Sequence, residues 1–258
     1  LSFADFVMVD APAAIICLIV MIGLFYLLFG RKFKVDEEHR RALMERDERE
    51  EIKNPTLLRQ SVIMIILVTA GFMLHGSLGI ESCVVALTAA GILMLISGER
   101  IEEALAHVEW TTLVFFAGLF IVVGALSEVG VIGMLAQALI DVTGGSTFIA
   151  MLVLLFASAV ISSFLDNIPF VATMIPILLS MEATGMDVMP LWWAVSLGAC
   201  LGGNGTLIGA SANVVMSDIA KKHGTEITFM GFLKYGFPIM LVTIAVSAVY
   251  LVVRFPPM

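Results

Sequence analysis

Two polar breaks set inside long apolar runs constrain this chain more than any other feature of its sequence. The first reads Ser162-Ser163-Phe164-Leu165-Asp166-Asn167-Ile168-Pro169-Phe170. The second reads Gly202-Gly203-Asn204-Gly205-Thr206-Leu207-Ile208-Gly209-Ala210-Ser211-Ala212-Asn213. In hydrocarbon each unpaired backbone group costs several kcal/mol, so non-helical backbone at membrane depth persists only where it is buried or lines a cavity. Two such breaks in one membrane chain are the pattern of a transporter binding site. The membrane setting itself follows from composition: 60% of residues are hydrophobic and 14% charged, with a mean hydropathy of +1.03. Soluble domains are about half apolar and about a quarter charged. The fold class is therefore an all-α polytopic membrane protein.

The spans can be read off in order. Residues 11–29 form an uninterrupted apolar run, long enough for a bilayer core that needs about 20 helical residues. Residues 34–54 are densely charged and helix-prone, with Glu37/Arg41 and Glu45/Arg49 at i,i+4 spacing, and Asn54-Pro55 stops them. Acids and bases alternate there, so this is a solvated linker and not a nucleic-acid patch. Spans follow at 57–74, 80–96 and 110–126, then a shorter amphipathic piece at 131–140. Residues 147–181 are too long for one crossing and carry the first break at their middle, which reads as a re-entrant hairpin. Residues 191–219 read as one crossing broken by the glycine stretch, and 237–253 as the last span. The organisation expected is residues 1–30 as the end of a first repeat, 31–56 as a charged cytoplasmic linker helix, and 57–258 as a second repeat.

Charge supports that topology. With the linker cytoplasmic and the hairpin counted as no crossing, Arg100, Lys221, Lys222 and Lys234 also fall inside, and only Arg254 falls outside. A full crossing at the hairpin would put the three lysines outside. The two ends of the chain also match. Leu1-Ser2-Phe3-Ala4-Asp5-Phe6 with Pro12 aligns with Ile227-Thr228-Phe229-Met230-Gly231-Phe232 with Pro238, both phenylalanines and the proline in register. The crossing count runs these two spans in opposite directions, as in an inverted repeat. On that reading the hairpin and broken helix of the first repeat lie outside these 258 residues, in cis or on another chain.

Asp166 is the only acid in the interior of any apolar span. An ionisable group at membrane depth costs about 2.5–3.5 kcal/mol on insertion scales and is a functional candidate. Asn167 adds an amide, Ser162 and Ser163 add hydroxyls, and Pro169 fits the first turn of a returning helix. The plainer alternative is that Asp166 only caps that helix, and the two roles are compatible. In the second break Gly202, Gly203, Gly205 and Gly209 let backbone approach a ligand closely. Asn204, Thr206, Ser211 and Asn213 supply neutral oxygens and amides. A half-helix beginning near Thr206 would aim its N-terminus at the break, which suits an anion, while freed carbonyls suit Na⁺. Close helix packing is the competing explanation for the glycines, and it accounts for Gly198 or Gly209 better than for Asn204-Gly205-Thr206.

The remaining candidates read as structural. Cys17, Cys83 and Cys200 are scattered, with no metal or disulfide spacing, and read as small buried residues. Trp110, Trp192 and Trp193 fit an interfacial aromatic belt. His75 and His107 fall near membrane boundaries, and Glu128 and Asp141 in an outer loop. No GxxxxGK[ST] or HExxH is present, so neither a P-loop nor a zinc-protease centre is written into the chain. No catalytic residue, resident metal or cofactor is assigned. A membrane enzyme would need a nucleophile–base or metal set that the sequence does not offer.

The residues also resemble a known family. Ser163-Phe164-Leu165-Asp166-Asn167-Ile168-Pro169-Phe170 with Met174-Ile175-Pro176 resembles the hairpin of the ion transporter superfamily. Residues 197–214, from Leu197-Gly198 through Gly202-Gly203-Asn204-Gly205-Thr206 to Asn213-Val214, resemble that group's second broken helix. Val108-Glu109-Trp110-Thr111-Thr112-Leu113-Val114-Phe115-Phe116 is similar to the same branch, which holds the arsenite permeases, the D-type sodium/proton antiporters and the melanosomal P protein, with a citrate-transporter-like domain. The likeness covers nearly all of the chain from residue 57 on, and the first span more loosely.

What the resemblance implies is a homodimer in the lipid bilayer, with two inverted repeats per protomer and an elevator-like movement. Substrate and a coupling Na⁺ or H⁺ would sit at the hairpin tips and helix breaks, here Ser162, Ser163, Asp166, Asn167, Asn204, Gly205, Thr206, Ser211 and Asn213, shaped by Pro169, Gly202, Gly203 and Gly209. Related dicarboxylate symporters carry Ser-Asn-Thr at the tip, where this chain has Leu165-Asp166-Asn167. A carboxylate there repels a dicarboxylate unless it is protonated or paired with a cation. The expectation is a secondary active transporter of small inorganic ions in the plasma (inner) membrane, either an arsenite/anion permease, with an ATPase partner as one way to energise it, or a sodium/proton antiporter. The alternatives are an incomplete, non-transporting membrane component and a sodium-coupled dicarboxylate transporter.

Overall fold

The computed structural model describes residues 1–30, 37–45, 52, 54–98 and 100–257. Every regular element among them is an α-helix. Helices α1 (Phe3–Phe29), α3 (Pro55–Leu78), α6 (Trp110–Glu128) and α12 (Phe229–Arg254) are each long and apolar enough to cross a membrane. About half of the charged linker, including Arg49 of the expected Glu45/Arg49 pair, lies outside the described residues. Within it α2 spans Glu37–Met44, where Glu37 meets Arg40 at 3.4 Å with both side chains exposed.

The chain divides into two compact units. The first comprises residues 1–11 and 23–110, and the second residues 12–22 and 111–258. In the first unit α3 begins at an Asn54 cap, whose side chain accepts from the Leu57 N–H at 3.0 Å, with Pro55 in the first turn. It ends at Gly79 in the left-handed region (φ +64°), which a side chain would strain. It packs along α4 (Ser82–Ser97). Gly71 makes the approach close, since a Cβ there would stand 2.6 Å from Val85 Cγ1. The short α5 (Ile101–Ala106) completes this unit, and the exposed Trp110 donates its ring N–H to the Leu105 carbonyl at 3.3 Å.

The second unit is organised on α10 (Met189–Gly202), which packs against α8 (Thr147–Ser162), α9 (Asn167–Ala183) and α12. A helix apolar on every face belongs in a core, and α10 buries Leu191, Trp193, Ala194, Val195, Leu197, Gly198, Ala199 and Gly202. Trp193 therefore sits in the protein core, 3% exposed, and not in an interfacial belt. Small residues set the α8–α10 distance. A Cβ on Gly198 would meet the Leu155 carbonyl oxygen at 2.6 Å, and one on Gly202 would meet Ala159 O at 2.5 Å. This is close packing through glycine four residues apart.

Helix α7 (Val131–Val142) joins α8 through Gly144 and Gly145, both with positive φ, and the two axes differ by 114°. It packs on α9. The middle of α1 joins α12: Cys17 Sγ lies 3.5 Å from both the Thr243 carbonyl oxygen and Ser247 Oγ, all three residues buried. Cys83 and Cys200 are exposed, so of the three thiols only Cys17 is a core residue. By contrast α1, α3 and α6 keep most of their Leu, Ile, Val and Phe side chains exposed. Apolar surface on that scale calls for lipid or protein cover. The chain is an integral, polytopic, all-helical membrane protein.

Candidate functional site

Both breaks fall at helix ends in the second unit, and they meet. The first occupies residues 163–166 between α8 and α9, and the second residues 203–210 between α10 and α11 (Ser211–Lys222). The second half-helix thus begins at Ser211 and not near Thr206. Short turns hold the intervening backbone, with Gly205 N–H to Gly202 O at 2.8 Å and Gly209 N–H to Thr206 O at 3.3 Å.

Ser163 is the hub of the meeting. Its hydroxyl reaches Ala159 O at 2.8 Å and Gly202 O at 3.0 Å, and its own carbonyl accepts the Thr206 hydroxyl in a short hydrogen bond. Ser162 donates to Ala199 O at 2.8 Å. Ser162, Ser163 and Thr206 are fully buried. Gly205 and Gly209 pack on Ser163 from the second break, and a Cβ on Gly209 would stand 2.7 Å from Ser163 O. The close approach demands glycine at both. Asn213, half-buried on α11, donates to Gly203 O at 2.9 Å and Thr206 O at 3.0 Å, tying the half-helix back to the break.

A second set of residues lines the outside of this crossing. Asp166 is exposed and caps α9, its Oδ1 accepting from the Ile168 N–H at 3.1 Å. Asn167 begins α9 and is half-buried, as is Pro169, whose missing N–H falls among the free donors of the first turn. Asn204 and Ser211 are exposed. Hydrogen bonds and close glycine packing thus bring Ser162, Ser163, Gly202, Gly203, Gly205, Thr206, Gly209 and Asn213 together, while Asp166, Asn204 and Ser211 are exposed in or beside the same two breaks. Among the described residues no group of three or more His, Cys, Asp or Glu side chains could hold a metal ion.

Ala159, Ala199 and Gly236 contribute to the crossing without a mark in the sequence reading. The carbonyls of Ala159 and Ala199 are acceptors, and backbone acceptors leave no mark in residue type. Gly236 of α12 faces the second break, where a Cβ would lie 2.8 Å from Asn204 O. Its signal was a glycine two residues before Pro238. Apart from this site, Asp10 of the first unit is an acid inside a membrane helix, since α1 starts at Phe3 and places it at the eighth residue. Its start was legible in Ser2-x-x-Asp5, a capping box in which Asp5 Oδ2 accepts from Ser2 N–H at 2.7 Å.

Comparison with known proteins follows this geometry. Residues 1–198 match the family described as Citrate transporter (CitMHS). A 46 kDa membrane protein of Mycobacterium leprae is 41% identical over 257 residues, covering 98% of this chain and 60% of the relative. An uncharacterized transporter of Mycobacterium bovis is 43% identical over 259 residues, covering 99% and 60%. The P protein of Sus scrofa is 40% identical over 230 residues, covering 84% of this chain and 27% of that protein. The chain spans about 60% of the length of the mycobacterial relatives it matches. With membrane helices, two crossing breaks and a family match over most of its length, the chain belongs to the citrate transporter family of the ion transporter superfamily, a family of transporters and not of enzymes.

Proposed function

We propose that this chain forms the ion-handling core of a secondary active transporter of small inorganic ions, with Asp166 as the site of a coupling cation or proton. The observation that carries this reading is the placement of Asp166. It is exposed at the end of the first break, three residues after Ser163, with one carboxylate oxygen accepting from the Ile168 N–H. A helix N-terminus ordinarily attracts anions, but here the α9 N-terminus already holds a carboxylate. A free anion entering beside it meets like charge, and a cation or proton meets an acceptor. On this reading Asn167, Asn204 and Ser211, in or beside the same breaks, supply further oxygen ligands. Citrate, the substrate in the family's description, would need to arrive with a cation.

The two ends of the chain support an inverted-repeat organisation. Ser2 caps α1 and Thr228 caps α12, whose Gly231 N–H reaches Thr228 Oγ1 at 3.1 Å. Pro12 and Pro238 are each the tenth residue of their helix. An elevator-like movement in a homodimer, the linker on the cytoplasmic side of the plasma membrane, and an ATPase partner in the case of arsenite export belong to the same proposal.

The test uses inside-out vesicles holding a pH gradient. Na⁺, Li⁺, arsenite and citrate are added in turn to the native protein and to Asp166→Asn. Collapse of the gradient by Na⁺ or Li⁺, lost in the variant, is the expected result. Arsenite uptake with no cation response makes the protein a metalloid permease. Unchanged cation-coupled flux in a folded Asp166→Asn protein refutes the role of Asp166.

A further inference from the structure

The hydrogen bonds at the crossing run both ways between the breaks. Ser163 of the first break shares its one hydroxyl proton between Ala159 O of α8, at 2.8 Å, and Gly202 O at the end of α10, at 3.0 Å, and Thr206 of the second donates to Ser163 O. Ser162 adds a third bond, to Ala199 O. Asn213 then closes the second break on itself through Gly203 O and Thr206 O. In each of these bonds a neutral side chain donates its proton to a backbone carbonyl, and Ala199 O, Gly202 O and Thr206 O also accept the N–H groups of Gly203, Gly205 and Gly209, so these oxygens are engaged from two sides. The three hydroxyl groups are buried, so an entering ion meets none of them without first opening the crossing.

We propose that Ser162, Ser163, Thr206 and Asn213 are positioning residues, forming a reciprocal clasp that holds the two breaks as one rigid piece. Ligand contact is left to the rim around Asp166. This rests on the transport reading for its consequence, but the clasp itself can be tested without transport. It also divides a set of polar residues that look equivalent in the sequence. The clasp residues set how firmly the site is assembled, and the rim residues set what it holds.

The test reads hydrogen–deuterium exchange in peptides covering 163–166 and 203–210 of the native protein in nanodiscs, alongside cation-coupled flux. Thr206→Val keeps the shape and removes the donor, and Thr206→Ser restores the donor. The expected result is exchange about tenfold faster in both peptides at once for Thr206→Val, the scale of one lost buried hydrogen bond, and near-native exchange for Thr206→Ser. Maximal flux falls while the half-saturating cation concentration shifts less than about threefold, since the contacts to the ion are retained. If Thr206→Val does not fold, Asn213→Ala is read in the same peptides, with faster exchange in 203–210 expected. Native exchange in both peptides, or a large rise in half-saturating concentration with exchange unchanged, overturns the proposal and makes these residues ligands. If the native protein carries no cation at all, the transport reading fails, and the exchange data still decide the clasp.

Discussion

On the inner side of the crossing Ser162, Ser163 and Thr206 are buried, and each hydroxyl donates to a backbone carbonyl. On the outer side Asp166, Asn204 and Ser211 are exposed, and the hydrogen bond made by the Asp166 side chain is to the adjacent helix start. The residue types are alike, small and polar in both places. Their energetics differ because burial removes the option of water. An inner hydroxyl that loses its partner leaves a desolvated carbonyl behind, whereas a rim group exchanges one polar neighbour for another. Substitutions on the two sides should therefore separate stability from ion handling.

The largest expected effect is at the glycines of the inner side. Gly202→Ala puts a Cβ 2.5 Å from Ala159 O and 2.7 Å from Ala159 Cα, backbone atoms that move only if α8 moves. Overpacking of this kind costs about 1–3 kcal/mol or more, and a sharp fall in thermal midpoint in detergent, or no monodisperse protein, is expected. Gly91→Ala on α4 meets nothing within 4 Å and should hold or raise the midpoint through helix propensity, by up to about 1 kcal/mol. Next comes Thr206→Val, which leaves Ser163 O buried without its donor, at about 1–3 kcal/mol in the same assay, with Thr206→Ser near native. Asn213→Ala removes the side-chain donor from Gly203 O and one of two donors from Thr206 O at a half-buried position, and a loss of about 1 kcal/mol is expected. Smallest in stability is Asp166→Asn, because asparagine caps a helix about as well as aspartate. A midpoint within about 0.5 kcal/mol of native together with lost cation dependence of flux would complete the contrast. A large loss of stability in Asp166→Asn would break it.

The sequence made the positions of the breaks legible because Gly, Pro, Asp and Asn interrupt apolar runs, and it made the helical class legible through the length of those runs. It did not disclose which polar side chains face inward. Ser163 and Ser211 are the same residue in similar polar surroundings, and only the closeness of Gly202, Gly205 and Gly209 to Ser163 separates them. That closeness is a property of two segments some forty residues apart. Asp10 escaped notice for a different reason. Apolar content locates the centre of a span but not its start, and the Ser2–Asp5 box extends α1 by more than two turns beyond the run of residues 11–29. Trp193 was misplaced because tryptophan favours interfaces on average, while α10 is covered on several sides by protein.

The bond between Cys17 on α1 and Thr243 on α12 joins two helices across 226 residues of chain. At a synthesis rate of roughly 5–20 residues per second, that separation is on the order of ten to forty-five seconds. For that interval α1 is already made, yet the helix that covers Cys17 has not left the ribosome. The thiol that is sealed in the finished protein is therefore open during biogenesis, and pulse-labelling of nascent chains would register the moment at which α12 docks.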